Sequence, residues 1–98
     1  MTDLAAIQEL SVAGRHQECL QACQNALQAN PEETYAYKYA GKSLLALGQF
    51  EKAQRCLLKA NQLDSNDPEI ANDIGNIFLN LGNNDIALGW YESDVIVA

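Results

Sequence analysis

The 98-residue chain has few basic residues and no long apolar run. Six Lys and Arg stand against 13 Asp and Glu, giving a net charge of −7. Clustered Lys and Arg bind phosphate backbones, so this charge argues against nucleic acid and anionic membranes as partners. A membrane span needs roughly 20 apolar residues, and the N-terminus carries acids where a secretion signal would be apolar. The sequence therefore predicts a cytoplasmic protein with no membrane contact.

Histidine and cysteine are scarce, with one and three residues. His16, Cys19 and Cys23 follow at i, i+3 and i+7, which would place three metal ligands along one side of a helix. A closed zinc site needs four ligands, however, and the two cysteines stand where the next segment has small or apolar residues. We interpret them as buried, reduced thiols. Neither a metal site nor a disulfide framework is expected.

Catalytic motifs are missing as well. The chain has no nucleophile elbow, glycine-rich phosphate loop or metalloprotease helix motif. Its single histidine has no evident partner for acid–base chemistry. The sequence therefore predicts no catalytic residues, no enzyme activity and no cofactor.

The chain does contain a repeat of 34 residues, centred on residues 34–67. Glycines recur at this interval as Gly14, Gly48 and Gly82, and small residues recur as Cys19, Ala53 and Ala87. In the central copy, large and small residues lie three or four apart on either side of the glycine, which predicts two apolar helical stripes. These residues are Tyr37, Ala40, Gly41 and Leu44 before the glycine, and Ala53, Leu57 and Ala60 after it.

The repeat predicts one domain of six helices, with repeats at about 1–33, 34–67 and 68–98. The first helices are expected near 3–13, 34–47 and 68–81, and the second helices near 16–29, 50–63 and 84–96. Asn30-Pro31 and Asp67-Pro68 are each interpreted as a helix cap followed by a proline in the first turn.

This order of aromatic, small, glycine and large residues resembles the tetratricopeptide repeat. The resemblance implies an all-α, right-handed solenoid of three antiparallel helix pairs that acts as a protein-interaction module. The first copy departs from the family pattern, because Asp3 replaces a large residue and Ile7 replaces the glycine. We therefore expect its helices to pack at a wider spacing.

In such arrays the first helices line a concave groove that holds a peptide. Lysines in this groove could neutralise a ligand carboxylate, and asparagines could bind an extended backbone. Alternatively, the same residues are solvated helix faces, with Lys38 or Lys42 paired to Asp73. The groove residues implied here are Gln8, Tyr35, Lys38, Tyr39, Lys42, Asn72, Asp73, Asn76 and Asn80.

Some family members clamp the C-terminal carboxylate of chaperone tails with a set of Lys, Asn and Arg residues. This sequence departs from that set, since Leu4 and Gln8, Tyr39, and Glu69 and Asp73 occupy the matching positions. The two acids would repel such a tail, so chaperone-tail binding is not expected.

The last segment ends without the polar capping helix that repeat arrays usually carry. More apolar residues lie in it than one helical stripe can bury, so an interface is expected at Trp90, Val95, Ile96 and Val97. The sequence leaves open a homo-oligomer through this segment, a purely architectural role, or a fragment of a longer protein, an enzyme being one of the alternatives.

Overall fold

The structure is a computed structural model and describes residues 4–82. Each helix in this range agrees with the sequence prediction to within one residue, and no strand occurs within it, so the all-α prediction is confirmed. The predicted helix at 84–96 lies outside the described residues. The five helices are α1 (Leu4–Val12), α2 (His16–Ala29), α3 (Thr34–Ala46), α4 (Phe50–Leu63) and α5 (Pro68–Asn80).

The periodic glycines follow the first helix of each repeat. Gly48 has a φ of +77°, which suits glycine because it has no Cβ. Its amide donates to the carbonyl of Leu45 at 3.0 Å, and the next amide, of Gln49, donates to Leu44 at 2.9 Å. Gly14 and Gly82 have nearly the same φ, at +79° and +84°. The 34-residue interval is therefore a repeat of backbone conformation.

The two proline-containing turns behave differently. Asp67 caps α5 by accepting a hydrogen bond from the Glu69 amide at 2.9 Å, and Pro68 is in the first turn, as predicted. Pro31 is not in the first turn of α3, so that prediction is wrong. Helix α3 starts at Thr34, because the Glu33 carboxylate accepts from the Tyr35 amide and takes the capping role.

Helix α3 is the centre of the packing. It packs on α1, α2, α4 and α5, and α4 also packs on α5. Helices α3 and α4 come close together at Gly41, where a Cβ would lie 2.7 Å from Cδ2 of Leu57. Gly41 is thus required for close contact, as the sequence pattern predicted.

In repeat one, the residues buried between α1 and α2 differ from the Gly41 and Leu57 pair of repeat two. Ile7, Cys19 and Cys23 are at most 1% exposed and belong to one apolar cluster. The Cys19 thiol donates to the Ile7 carbonyl at 3.5 Å. The prediction that both cysteines are buried small residues is therefore confirmed.

Candidate functional site

Helices α1, α3 and α5 form one face of the array, because α3 packs on both of the others. We call this face the groove face. It brings side chains of all three helices next to one another across two helix–helix boundaries. The two boundaries differ in chemistry.

The boundary between α1 and α3 is neutral. The Tyr35 hydroxyl donates to Oε1 of Gln8 at 2.8 Å. Tyr35 and Tyr39 lie one turn apart, and their ring centroids are 4.7 Å apart with a tilt of 45°. Partial burial and the neighbouring Tyr39 raise the pKa of Tyr35. Tyr35 and Tyr39 thus form a half-buried aromatic platform with a hydrogen-bonded edge.

The boundary between α3 and α5 is ionic. Lys38 Nζ lies 2.9 Å from Asp67 and 3.0 Å from Glu69. Lys42 Nζ lies 2.9 Å from Glu69 and 2.7 Å from Asp73. The two lysine side chains are only 14% and 22% exposed. Both lysines are therefore held by carboxylates of the same chain, and Glu69 is shared between them.

The ion pairs change the acid–base behaviour of their members. Partial burial opposes the charge on Lys38 and Lys42, but their hydrogen bonds to the α5 acids outweigh it and raise the pKa of each lysine. Hydrogen bonds from Lys42 and Lys38 lower the pKa of Glu69 below its usual 4.5. All three groups are therefore charged at neutral pH.

Sequence reasoning considered Asp73 as a lysine partner but missed Asp67 and Glu69. A signal for Glu69 was present. Lys38 and Lys42 are four residues apart, Glu69 and Asp73 are also four apart, and each lysine–acid pair is separated by 31 residues. Two facing pairs of opposite charge at a constant offset indicate neighbouring parallel helices in a repeat.

The asparagines of α5 complete the groove face. Asn72 and Asn80 are exposed, and Asn76 is half-buried. The Asn80 side-chain amide donates to the Asn76 carbonyl at 2.8 Å, so that amide is engaged by its own helix. Asn72 is the α5 asparagine with the most direct access to a ligand, next to Asp73.

The histidine and cysteines of α2 do not form a metal centre. His16 Nδ1 lies 3.4 Å from the hydroxyl of Ser43, a fully buried residue of α3. Cys19 and Cys23 face the core, and burial is the main cause of the raised pKa of Cys23. No group of three metal-binding side chains occurs between residues 4 and 82.

Two further expectations concern membrane contact and self-association. Within the described helices, none has the length and apolar character to cross a bilayer. The residues expected at a self-association surface, which are Trp90, Val95, Ile96 and Val97, lie outside the described residues.

Comparison with known proteins shows what this architecture resembles. A crystal structure of MamA is 21% identical, with a TM-score of 0.82, over 96% of this chain and 57% of MamA. MamA from Desulfovibrio magneticus RS-1, from residue 41 onward, is 19% identical with a TM-score of 0.82, over 88% of this chain and 49% of that one. This chain therefore spans about half the length of the MamA chains.

The second TPR of Spaghetti, bound to the HSP90 peptide SRMEEVD, is 14% identical with a TM-score of 0.89. That match covers 96% of this chain and 87% of the other. No curated protein sequence matches this chain. A family model described as tetratricopeptide repeat matches residues 13–77, which is about two thirds of the sequence. The chain belongs to the tetratricopeptide repeat family.

Proposed function

We propose that this protein is an interaction module, without catalytic activity, that binds an extended peptide segment across the groove face. The observation that carries the proposal is the ionic boundary between α3 and α5. Lys38 and Lys42 hold Asp67, Glu69 and Asp73 from the neighbouring helix at 2.7 to 3.0 Å. Such contacts fix the spacing of the two helices before a ligand arrives, which reduces the entropy lost on binding.

The groove face offers separate contacts for the parts of a peptide. The Tyr35–Tyr39 platform suits an apolar or aromatic ligand side chain. The exposed Asn72 amide suits a peptide backbone, because it both donates and accepts hydrogen bonds. A peptide lying across the three helices would meet the aromatic platform first, then the ionic boundary, and then Asn72.

The proposal includes a preference for one ligand carboxylate, with Glu69 as the group that it replaces. Glu69 is 59% exposed, whereas the Asp73 side chain is 14% exposed and Asp67 is 21% exposed. If a ligand carboxylate displaced Glu69, Lys38 would keep Asp67 and Lys42 would keep Asp73. A tail with several acids should bind poorly, because it would meet Asp73 and Asp67 at short range.

The test is a set of arrayed random peptides with a free C-terminal carboxylate and the same peptides amidated. Wild type should select the free-carboxylate peptides, and the signals of Tyr39 and Asn72 should shift in NMR spectra. Glu69→Gln should tighten this binding several-fold, because it frees a donor on each lysine. The matched control Glu9→Gln removes one exposed acid from α1 and should leave the affinity unchanged.

Two results would contradict the proposal. Equal effects of Glu69→Gln and Glu9→Gln would show that only net charge matters. Binders that shift signals of α2 and α4 alone would place the site on the other layer of helices. Raising salt should weaken the binding, since exposed charges are screened over about 10 Å at 0.1 M.

We extend the proposal to location and assembly. The three cysteines are free thiols, which supports a cytoplasmic location. Self-association through Trp90 and residues 95–97 is proposed as a second property. Sedimentation over a wide concentration range tests it, and a Trp90→Ala variant that still dimerises would place the contact elsewhere.

A further inference from the structure

A second surface lies on the opposite layer of the array, between α2 and α4. Both helices pack on α3, and their backbones do not approach each other closely. The gap is a groove of about 340 Å³. Its floor is apolar, with Leu20 and Leu27 from α2, Leu44 from α3 and Cys56 from α4. We call this the outer groove.

The part of α4 next to Cys56, which lines the outer groove, is basic. Lys52, Arg55 and Lys59 follow at i, i+3 and i+7 on α4, so they lie within about 60° of one another around the helix and beside Cys56. Over these residues α4 rises by about 10 Å. Lys52 and Arg55 are exposed, and Lys59 is half-buried. The long apolar stems of such side chains can cover an apolar floor while their charges reach solvent.

These three cations differ from the rest of the basic residues. Arg15, Lys38 and Lys42 each have a carboxylate within 3.0 Å. Lys52, Arg55 and Lys59 have no ion-pair partner among residues 4–82. Among residues 4–82, the basic side chains without an ion-pair partner thus all lie on α4 next to Cys56, and the groove face has none.

We propose that the outer groove is a docking surface for an acidic amphipathic helix of another polypeptide. The apolar side of that helix would cover the floor, and its carboxylates, one turn apart, would meet Lys52, Arg55 and Lys59. The lengths agree, because the α2 side of the groove runs from Leu20 to Gln28, about 12 Å or two helical turns. Gln24 and Gln28 line the other side with neutral hydrogen-bonding groups.

Charge and composition favour this occupant over others. A nucleic acid backbone would leave the apolar floor unfilled and would be repelled by a net charge of −7. A second copy of the described helices lacks the required acids, because α1 and α2 each carry one acid. The two acids of α5, Glu69 and Asp73, are bound to lysines. The described helices of a second copy therefore do not supply the three acids, one turn apart, that this docking surface requires.

The test uses the full chain and a labelled synthetic helix of about 15 residues with blocked ends, a length at which isolated helices become stable. The peptide carries three glutamates at i, i+4 and i+7 beside a leucine stripe, and its control has glutamine in their place. Fluorescence anisotropy should show binding of the glutamate peptide alone. Arg55→Gln should weaken it about threefold, the value expected for one exposed ion pair. Arg15→Gln, which removes the same charge from the start of α2 in repeat one, should have no effect.

NMR spectra locate the bound peptide. Signals of Gln24, Gln28 and Cys56 should shift, while those of Tyr39 and Asn72 should not. Replacing Lys52, Arg55 and Lys59 together with glutamine should abolish binding with the helix content unchanged by circular dichroism; should that variant unfold, the single Arg55→Gln comparison decides. Absence of binding, equal binding of both peptides, equal effects of the two arginine variants, or shifts confined to the groove face would each overturn the proposal.

Discussion

At one equivalent pair of buried positions between their helices, repeat one and repeat two carry the large residue on opposite helices. In repeat two, Gly41 of α3 meets Leu57 of α4. In repeat one, the positions 34 residues earlier hold Ile7 on α1 and Cys23 on α2, and both are buried. The two repeats therefore share the location of this position pair and the neighbouring glycine turn. They differ in which of the two helices carries the large side chain. Ile and Cys together have a larger volume than Gly and Leu. This difference in volume is the reason to expect a wider spacing between α1 and α2 than between α3 and α4.

The largest expected effect on stability comes from shortening the large buried side chain of repeat two. Leu57 is fully buried, so Leu57→Ala should cost about 2–5 kcal/mol of unfolding free energy through lost burial and the cavity that remains. Cys23→Ala, at the matching position, removes only a sulfur and should cost about 1 kcal/mol. Urea denaturation of both variants measures the difference. Equal losses would mean that the two contacts are built alike.

Exchanging the residues sharpens the comparison. Gly41→Ile should destabilise by about 1–3 kcal/mol, because the new side chain would overlap Leu57. Adding Leu57→Cys reproduces the arrangement of repeat one and should restore part of the loss. The double variant should be more stable than Gly41→Ile alone, with a coupling of about 0.5–3 kcal/mol. If the losses of unfolding free energy from the two single variants simply added in the double variant, the two positions would not compensate each other in size.

A third change tests the small residue that both repeats place at the start of the second helix. Ala53 is fully buried in repeat two, where repeat one has Cys19. Ala53→Leu should overpack the contact and cost about 1–3 kcal/mol. A thermal melt measures this loss, and an unchanged melting temperature would argue against the helix register described above. Ala53→Cys, which copies repeat one, is the milder control.

The smallest effect concerns the two boundaries of the groove face. The α1–α3 boundary is a neutral Gln8–Tyr35 hydrogen bond, and the α3–α5 boundary is ionic. Since the pKa of Glu69 is lowered in the folded protein, its contribution to stability is present above its usual pKa of 4.5. That contribution is lost as the pH falls below 4.5 through the lowered value. Glu69 is more than half exposed, so the loss should stay below about 1 kcal/mol.

Denaturation at pH 6 and pH 3 measures this loss. The stability difference between wild type and Glu69→Gln should shrink at the lower pH. The cost of Gln8→Ala should be the same at both values, because that hydrogen bond is neutral. A Gln8→Ala cost that changes as strongly as that of Glu69→Gln would show that the two boundaries are not chemically distinct.

The helices were predictable because their signals are local. The apolar residues lie three or four apart, and Gly14 and Gly48 mark the turns, so the bounds of all five described helices follow from the sequence. Pro31 was misassigned because a proline in a turn and a proline in a first helical turn share the same local pattern. The start of α3 is set by the Glu33 carboxylate, two residues after Pro31, which accepts the capping hydrogen bond from the Tyr35 amide.

The groove face was predictable only in part. Its residues follow from the repeat, but the state of Lys38 depends on Asp67, a capping residue that also reaches across to α3. The spacing of residues in the sequence does not indicate that a capping residue also forms an ion pair with another helix. The outer groove was missed for a related reason. It exists because α2 and α4 both pack on α3 and leave a gap, which is a property of three helices rather than of any one stripe.

The left-handed turn at Gly48 has a consequence for the chirality of the chain. The residue is exposed and has a φ of +77°, a value that an L-residue adopts only with strain and a D-residue adopts readily. A 98-residue chain is within reach of chemical synthesis by ligation. D-Alanine at position 48 should therefore stabilise the protein by about 0.4–1 kcal/mol, because it restricts the unfolded chain without straining the turn. L-Alanine at the same position should destabilise it, so the two mirror-image residues would act in opposite directions.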